Sequence, residues 1–306
     1  MKFIRIISLT LTLCLDGFGQ STEQSSPHFL LLPDGLQFAP LRANIQEPRI
    51  GVFKFLDAGL MKVDIGNSID VLGLALPSSQ GVTCTVGIDF MAYALATNAR
   101  GLRLQIDALD GFFGGNLTIS KRLEPVVSET HFSGNVYQAR LRILHQSAHM
   151  VDGHYVENTN PHGPQDSWID GRVPVPFTRD FGELVVSHTL TPGGGAIRYY
   201  GGISYATLVR PDVIQRSAYL GGFEIYKSLG SIKMKETNLF FSYNINMTGT
   251  PAYSATHQLQ VGYKLGSWDR KGPAIYLAYY TGRHMFAEYF DEQISTIGAG
   301  FTVDWD

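Results

Sequence analysis

A histidine and a serine lie two residues apart in the segment His145-Gln146-Ser147. On a β-strand, residues i and i+2 point to the same side and are roughly 6.6 Å apart, a span that an imidazole can bridge to a hydroxyl. A histidine that removes the hydroxyl proton activates serine, which is otherwise a weak nucleophile, for attack on an ester carbonyl. The pair therefore predicts acyl transfer, with Ser147 as the nucleophile and His145 as the general base.

Such a base requires a third group that orients its imidazole. Asp180 and Glu183 on the next predicted strand and Asn158 in the intervening loop could each do so, and Asp180 is the residue that we assign. The sequence identifies no donor for an oxyanion.

The stretch that contains the pair alternates between two faces. One face holds Leu141, Ile143, His145, Ser147 and His149, and the other holds Arg140, Arg142 and Gln146. Because the first face begins with apolar side chains, we expect it to contact lipid, where polar groups are costly and need a reason. The simpler alternative is that His145 and Ser147 are ordinary polar residues of the headgroup zone. The spacing arises easily by chance, and His131-Phe132-Ser133 repeats it.

Twelve segments of alternating polar and apolar residues supply the elements that must position this strand. The clearest spans residues 236–247, where only Phe240 breaks the pattern. Most are long enough to cross a tilted bilayer, and an even number closes an antiparallel barrel. We therefore predict an all-β fold, an antiparallel transmembrane β-barrel of about 12 strands, lipid outside and water inside. The expected strands are 50–57, 61–75, 82–93, 100–120, 135–149, 179–190, 195–208, 213–228, 233–248, 255–266, 273–284 and 294–305.

The N-terminus resembles a secretory signal, because Lys2 and Arg5 precede the apolar stretch 6–15. We expect residues 1–19 to be the signal, 20–48 a periplasmic N-terminal segment that forms a tail or a plug, and 49–306 the barrel. One cysteine, Cys84, then remains, so no internal disulfide is expected.

The net charge and the distribution of charged residues indicate which classes of partner to expect. A net charge of -3 without any dense basic run argues against nucleic acid. Arg140, Arg142 and Arg198 are expected to line the lumen, either favouring anions or pairing with Glu224 and Glu236. Two other functional classes stay open beside the esterase: a non-catalytic barrel, either a narrow pore or a structural protein, and a soluble periplasmic lipid carrier with its apolar face inward.

Two stretches resemble a bacterial family called domain of unknown function 1207. They are the segment Leu32-Pro33-Asp34-Gly35-Leu36-Gln37-Phe38-Ala39-Pro40-Leu41, followed by Glu47-Pro48-Arg49, and the strand 140–149. That family's central motif is an Arg-rich strand ending in His-x-Ser-Ser-His before an acidic turn. Here Ala148 replaces the second serine, His149 is present, and Asp152-Gly153 is a loose version of the turn. The resemblance implies a bacterial outer-membrane location and, by itself, no activity.

The His-Gln-Ser triplet is also similar to that of outer-membrane phospholipase A, a twelve-stranded barrel, and to a His-x-Ser strand of lipid A deacylases. This resemblance implies phospholipid or lipopolysaccharide as the substrate and His145 and Ser147 as base and nucleophile. If the likeness is to the phospholipase, it implies a calcium ion with Asp152 as a ligand. Otherwise it implies no cofactor. The final strand, with Gly298, Gly300 and Phe301, resembles the closing strand of outer-membrane barrels, which implies the outer-membrane assembly machinery as a partner.

Overall fold

The structure is a computed structural model that describes residues 27–76, 81–97, 104–123, 132–150, 155–156, 167–168, 177–232, 235–268 and 271–304. The predicted signal, Asp152, Asn158 and His131 lie outside the described residues.

Strands make up nearly all of the described chain. A short 3-10 helix, Ala287–Tyr289, lies between the last two of them. The strands are β1 (His28–Leu31), β2 (Ile50–Phe55), β3 (Leu60–Leu76), β4 (Val82–Thr97), β5 (Gln105–Leu123), β6 (Phe132–Met150), β7 (Tyr155–Val156), β8 (Ser167–Trp168), β9 (Phe177–Pro192), β10 (Gly195–Arg210), β11 (Ser217–Ile232), β12 (Lys235–Gly249), β13 (Tyr253–Leu265), β14 (Gly272–Arg283) and β15 (Gln293–Asp304).

Twelve of these strands form a closed antiparallel barrel. Each strand from β2 to β6 and from β9 to β15 pairs with the strand that precedes and follows it in this set, and β15 pairs with β2 to close the ring. The predicted fold class and the twelve predicted strands are therefore confirmed, with ends that differ by a few residues. Among the described residues, no helix has the length and apolar character that crossing a membrane would require.

The outer face of the barrel is apolar and the inner face is polar, as the sequence predicted. Side chains on the outer face are largely apolar and exposed, among them Ile143, Leu184, Val186, Ile203, Leu277 and Ile297. The inner face carries buried polar and charged groups, among them Asp110, Arg142, Ser242, Asn244, Gln260 and Lys264. Period-two alternation of this kind, apolar outside and polar inside, is the arrangement of an outer-membrane-type β-barrel.

The ends of the barrel also differ. β6 ends at Met150 and β9 begins at Phe177 at the same end of the barrel as residues 284–292, and we call this the long-loop end. At the opposite end β9 and β10 are joined by Gly193-Gly194, where Gly194 has φ +79, a conformation that favours glycine. The expected strands 213–228 and 233–248 place Leu229-Gly230 in the turn between them. The structure corrects this, because both residues lie within β11 at a register shift between Ser228 and Ser231.

The first strand of the barrel is interrupted by residues 32–49, which we call the plug segment. β1 pairs with β3 near Leu72–Ala75, and β2 pairs with β3 near Met61–Ile65. The chain between them leaves the wall and enters the lumen, where Phe38, Leu41 and Glu47 are buried. The described contacts of this segment therefore lie in the lumen, while the expected division into signal, N-terminal segment and barrel stays a prediction.

Charged side chains of the wall hold the plug segment. Arg140 donates two hydrogen bonds to the carboxylate of Glu47, at 2.9 and 2.5 Å, and Arg142 lies 3.6 Å from it. The guanidinium groups of Arg140 and Arg198 each lie 4.4 Å from the centre of the Phe38 ring. Cations over an aromatic face are attracted to it. The carboxylate of Glu47 and the ring of Phe38 therefore both bind the plug segment to arginines of the barrel wall.

A second segment enters the lumen from the long-loop end. Within residues 284–292, Met285, Phe286 and Tyr289 are buried in the core cluster. The backbone N–H of Ala287 donates to the carboxylate of Asp110 on β5, at 3.1 Å. The lumen is thus occupied from both ends by parts of the same chain.

This occupied lumen leads to a prediction about ion conduction. Purified protein reconstituted into planar bilayers is expected to give no regular conductance steps, because the plug segment and residues 284–292 fill the space that water and ions would need. Single-channel recording checks this. Reproducible steps from the wild-type protein would show that these segments leave the lumen in a bilayer.

Candidate active site on the outer face

Strand β6 presents its two faces to different environments. Arg140, Arg142 and Gln146 are buried on the lumen side, while Ile143 is exposed on the outer side. His145 and Ser147 have the same parity as Ile143, so both side chains lie on the outer face. They lie toward the long-loop end, since β6 runs on only to Met150.

His145 and Asp180 are direct cross-strand neighbours, because the register of β6 and β9 places them opposite each other. Nδ1 of His145 lies 2.6 Å from Oδ1 of Asp180, a short charge-assisted contact. On the other side of the histidine, the ring of Phe113 on β5 lies 4.9 Å away between centroids. The side chains of His145 and Asp180 are 35% and 50% exposed, so the pair is accessible from the surroundings of the barrel.

The contact with Asp180 decides which imidazole nitrogen is available. With Nδ1 donating to the carboxylate, Nε2 is the nitrogen that can accept a proton, as in a serine hydrolase. Ser147 follows two residues later, opposite Gly111 on β5 and Thr178 on β9. Among the described residues no hydrogen bond joins Ser147 to His145. Catalysis by this pair would require a change of side-chain rotamer, and catalytic contacts often tighten only when substrate is bound.

Glu183 and Asn158 were the alternatives to Asp180. Glu183 lies on the lumen face of β9, where Oε1 is 2.5 Å from Nη2 of Arg142. The sheet therefore separates its carboxylate from His145, and Glu183 cannot orient the imidazole. Asn158 lies outside the described residues, as does Asp152 of the motif.

The two arginines of the motif have structural partners in the lumen. Arg140 and Arg142 form ion pairs with Glu47 and Glu183 rather than with Glu236, whose carboxylate accepts a hydrogen bond from Ser267. Arg198 lies 3.6 Å from Glu224, the partner that the sequence suggested. His149 is exposed on the outer face, beyond Ser147.

Three neighbours of the site had not been singled out from the sequence. They are Phe113, which packs on His145, Thr178, which lies opposite Ser147, and Thr207, which donates from Oγ1 to the main-chain oxygen of Asp180 at 3.2 Å. Thr207 is the extra residue of a β-bulge between Ala206 and Leu208. Only the cross-strand register brings these residues to the pair, and no single strand carries that information.

Calcium was expected only through the likeness to the phospholipase. Within the part of the chain that the structure describes, no three His, Cys, Asp or Glu side chains converge as a metal-binding group. The expectation of calcium rests on Asp152, which lies outside the described residues, and it stays a prediction.

Comparison with known proteins adds little to this geometry. No family model and no curated protein matches the sequence. The resemblance to domain of unknown function 1207 stays a prediction. Among solved structures, the outer-membrane-expressed OmpT of Vibrio cholerae is 8% identical, with 87% of this chain and 100% of that chain covered and a TM-score of 0.26. Its in-vitro folded form is 9% identical, with 83% and 98% covered and a TM-score of 0.25. At such TM-scores the likeness carries no argument, and the fold rests on the closed strand pairing.

Proposed function

We propose that this protein is a bacterial outer-membrane barrel whose outer face hydrolyses acyl-ester lipids, with Ser147 as nucleophile, His145 as general base and Asp180 as the orienting carboxylate. The observation that carries the proposal is the 2.6 Å contact between Nδ1 of His145 and Oδ1 of Asp180. A histidine and a carboxylate facing the bilayer are costly there and need a reason.

The reaction that this arrangement supports is acyl transfer in two steps. Oγ of Ser147 attacks the ester carbonyl while Nε2 of His145 accepts its proton, and the imidazolium then gives that proton to the departing alcohol. Water, deprotonated by the same nitrogen, attacks the acyl-serine, and release of the fatty acid restores Ser147. Asp180 holds the imidazole in the required tautomer and stabilises its charged form throughout.

The location of the three residues is suited to lipid substrates. They lie on the apolar outer face near the long-loop end, where the ester bonds of a lipid meet the barrel at the edge of the hydrocarbon layer. Phospholipid and lipid A are the proposed substrates, and export by the N-terminal signal followed by the outer-membrane assembly machinery is the proposed route to this location. The filled lumen favours chemistry on the outer face over the alternative of a narrow pore.

A fluorophosphonate probe tests the proposal directly. Such a probe forms a P–O bond with an activated serine and releases fluoride, so we expect a single adduct on folded wild-type protein, mapped to Ser147 by mass spectrometry. Labelling should disappear in Ser147→Ala and slow strongly in His145→Ala.

Ser217→Ala is the matched control for this labelling. Ser217 also lies at the long-loop end, at the start of β11, but its hydroxyl pairs with the hydroxyl of Tyr253 at 2.8 Å and it has no histidine two residues before it. This variant should label like wild type. Folded protein that acquires no adduct at Ser147 would overturn the proposed function.

A further inference from the structure

A shallow groove of about 350 Å³ runs along the outer face of β6, β9 and β10, directly beside the His145–Asp180 pair. We call it the outer groove. Its walls are mainly apolar, with Leu141 and Ile143 on β6, Leu184 on β9 and Ile203 on β10. Asp180 itself lines the groove, so the groove is continuous with the proposed catalytic centre.

The outer groove exists because Gly182 has no side chain to fill it. The register aligns Ile143, Gly182 and Tyr205 in one row across the three strands. The two outer members of this row carry large side chains that are exposed on the outer face, while the central one has none. Gly182 therefore leaves a channel between two walls, and any larger residue there would close it.

The groove has a direction as well as a position. Asp180 and Thr207 lie at its end nearest the long loops, and Leu184, opposite both Leu141 and Ile203, lies toward the other end. Four residues along a strand cover roughly 13 Å. The groove therefore leads from the catalytic pair into the hydrocarbon layer, the direction in which the acyl chain of a bound ester would extend.

From this placement we infer that the outer groove binds the acyl chain of the substrate and that Gly182 sets the preference for long-chain esters. The inference rests on the proposed function. The surrounding lipid is as apolar as the groove, so the groove does not act by hydrophobic transfer. It acts by fixing the chain so that the carbonyl lies at Ser147, and misplacement by about 1 Å can cost on the order of 10²-fold in rate.

Gly182→Leu tests the inference because the new side chain would occupy the groove without disturbing the wall. A Cβ at Gly182 would meet only the main-chain oxygen of Arg142, at 3.8 Å, which is ordinary contact. The measured quantity is kcat/KM on two p-nitrophenyl esters in detergent micelles, the butyrate and the palmitate. We expect the variant to lose about 10- to 100-fold on the palmitate and to keep the butyrate rate within about twofold.

Gly201→Leu is the matched control. Gly201 also faces outward, on β10, and a Cβ there would meet only the main-chain oxygen of Leu220, at 3.9 Å, but it does not line the groove. This variant should keep the wild-type ratio of palmitate to butyrate rates. Gel mobility with and without boiling shows whether each barrel has folded.

The outcomes separate the inference from the function on which it rests. Wild-type protein that hydrolyses neither ester overturns the proposed function. Wild-type protein that hydrolyses both, together with a Gly182→Leu variant that keeps the wild-type ratio or shares its change with Gly201→Leu, overturns the acyl groove alone.

Discussion

The variant His145→Ala is expected to lower the hydrolysis of acyl esters by about 10²- to 10⁴-fold, the usual contribution of a positioned general base. Ser147 keeps its place on the strand in this variant but loses the histidine that Asp180 orients. The wall around the site should remain intact, because the His145 side chain projects outward from the wall, where it contacts Phe113 and Asp180. Fatty acid released from mixed micelles, followed by titration at constant pH, measures the effect.

His188→Ala is the control for this experiment. His188, on β9, is also an outward-facing histidine, but it lies near the end of the barrel opposite the long-loop end, where it bonds to Tyr199 and Asn135 and stacks 4.1 Å from Tyr137. It lies far along the strand from Ser147, so its loss should leave turnover within about twofold of wild type. An equal fall of the hydrolysis rate in both variants would point to damage of the barrel. An unchanged rate in His145→Ala would show that His145 takes no part in the reaction.

The fold was predictable because period-two alternation reports the face of each residue before any pairing is known. In β12 the polar side chains of Asn238, Ser242 and Asn244 are buried inside, as the pattern required. Phe240, the one apolar residue on that face, lies 5.6 Å from Trp268 between ring centroids and 5.8 Å from the guanidinium carbon of Arg42. The exception is thus a contact with the plug segment, which the strand alone could not reveal.

The candidate site was predictable to the extent that parity fixes which side chains share a face. Asp180 and Glu183 are three residues apart, so they must lie on opposite faces of β9. Because Leu184 and Val186 mark the outer face, parity alone already assigns Asp180 to the side of His145. The contact itself and the outer groove depend on register across three strands, and register is set by hairpin ends and bulges such as that at Thr207.

The plug segment was less predictable, because its contacts join residues that are distant in sequence. Glu47 and Arg140 are 93 residues apart, and the plug segment has no period that would indicate which wall it meets. Burial of a charge requires a partner of opposite charge. The sequence showed arginines directed into the lumen, but it offered Glu224 and Glu236 as equally reasonable partners.

Glu47→Ala is expected to destabilise the protein by about 3–5 kcal/mol, the cost of removing one member of a buried ion pair. Arg140 would lose both of its hydrogen bonds to the Glu47 carboxylate, and among the described carboxylates it would keep Glu183, at 3.7 Å. Urea unfolding in detergent, followed by tryptophan fluorescence, measures the difference. Glu236→Ala is the control, since that carboxylate is exposed and, within the described part of the chain, bonded only to Ser267, and it should change stability by less than about 0.5 kcal/mol.

The same ion pair predicts how the plug segment responds to acid. Burial would raise the pKa of Glu47, but Arg140 and Arg142 outweigh burial and hold the pKa below its ordinary value of 4.5. A carboxyl group with a lowered pKa contributes stability above its unfolded pKa and loses that contribution as the pH falls through its folded pKa. The difference in stability between wild type and Glu47→Gln should therefore stay constant from neutral pH down to about 4.5 and shrink only in stronger acid. A difference that already shrinks near neutral pH would mean that Glu47 is not held by the two arginines.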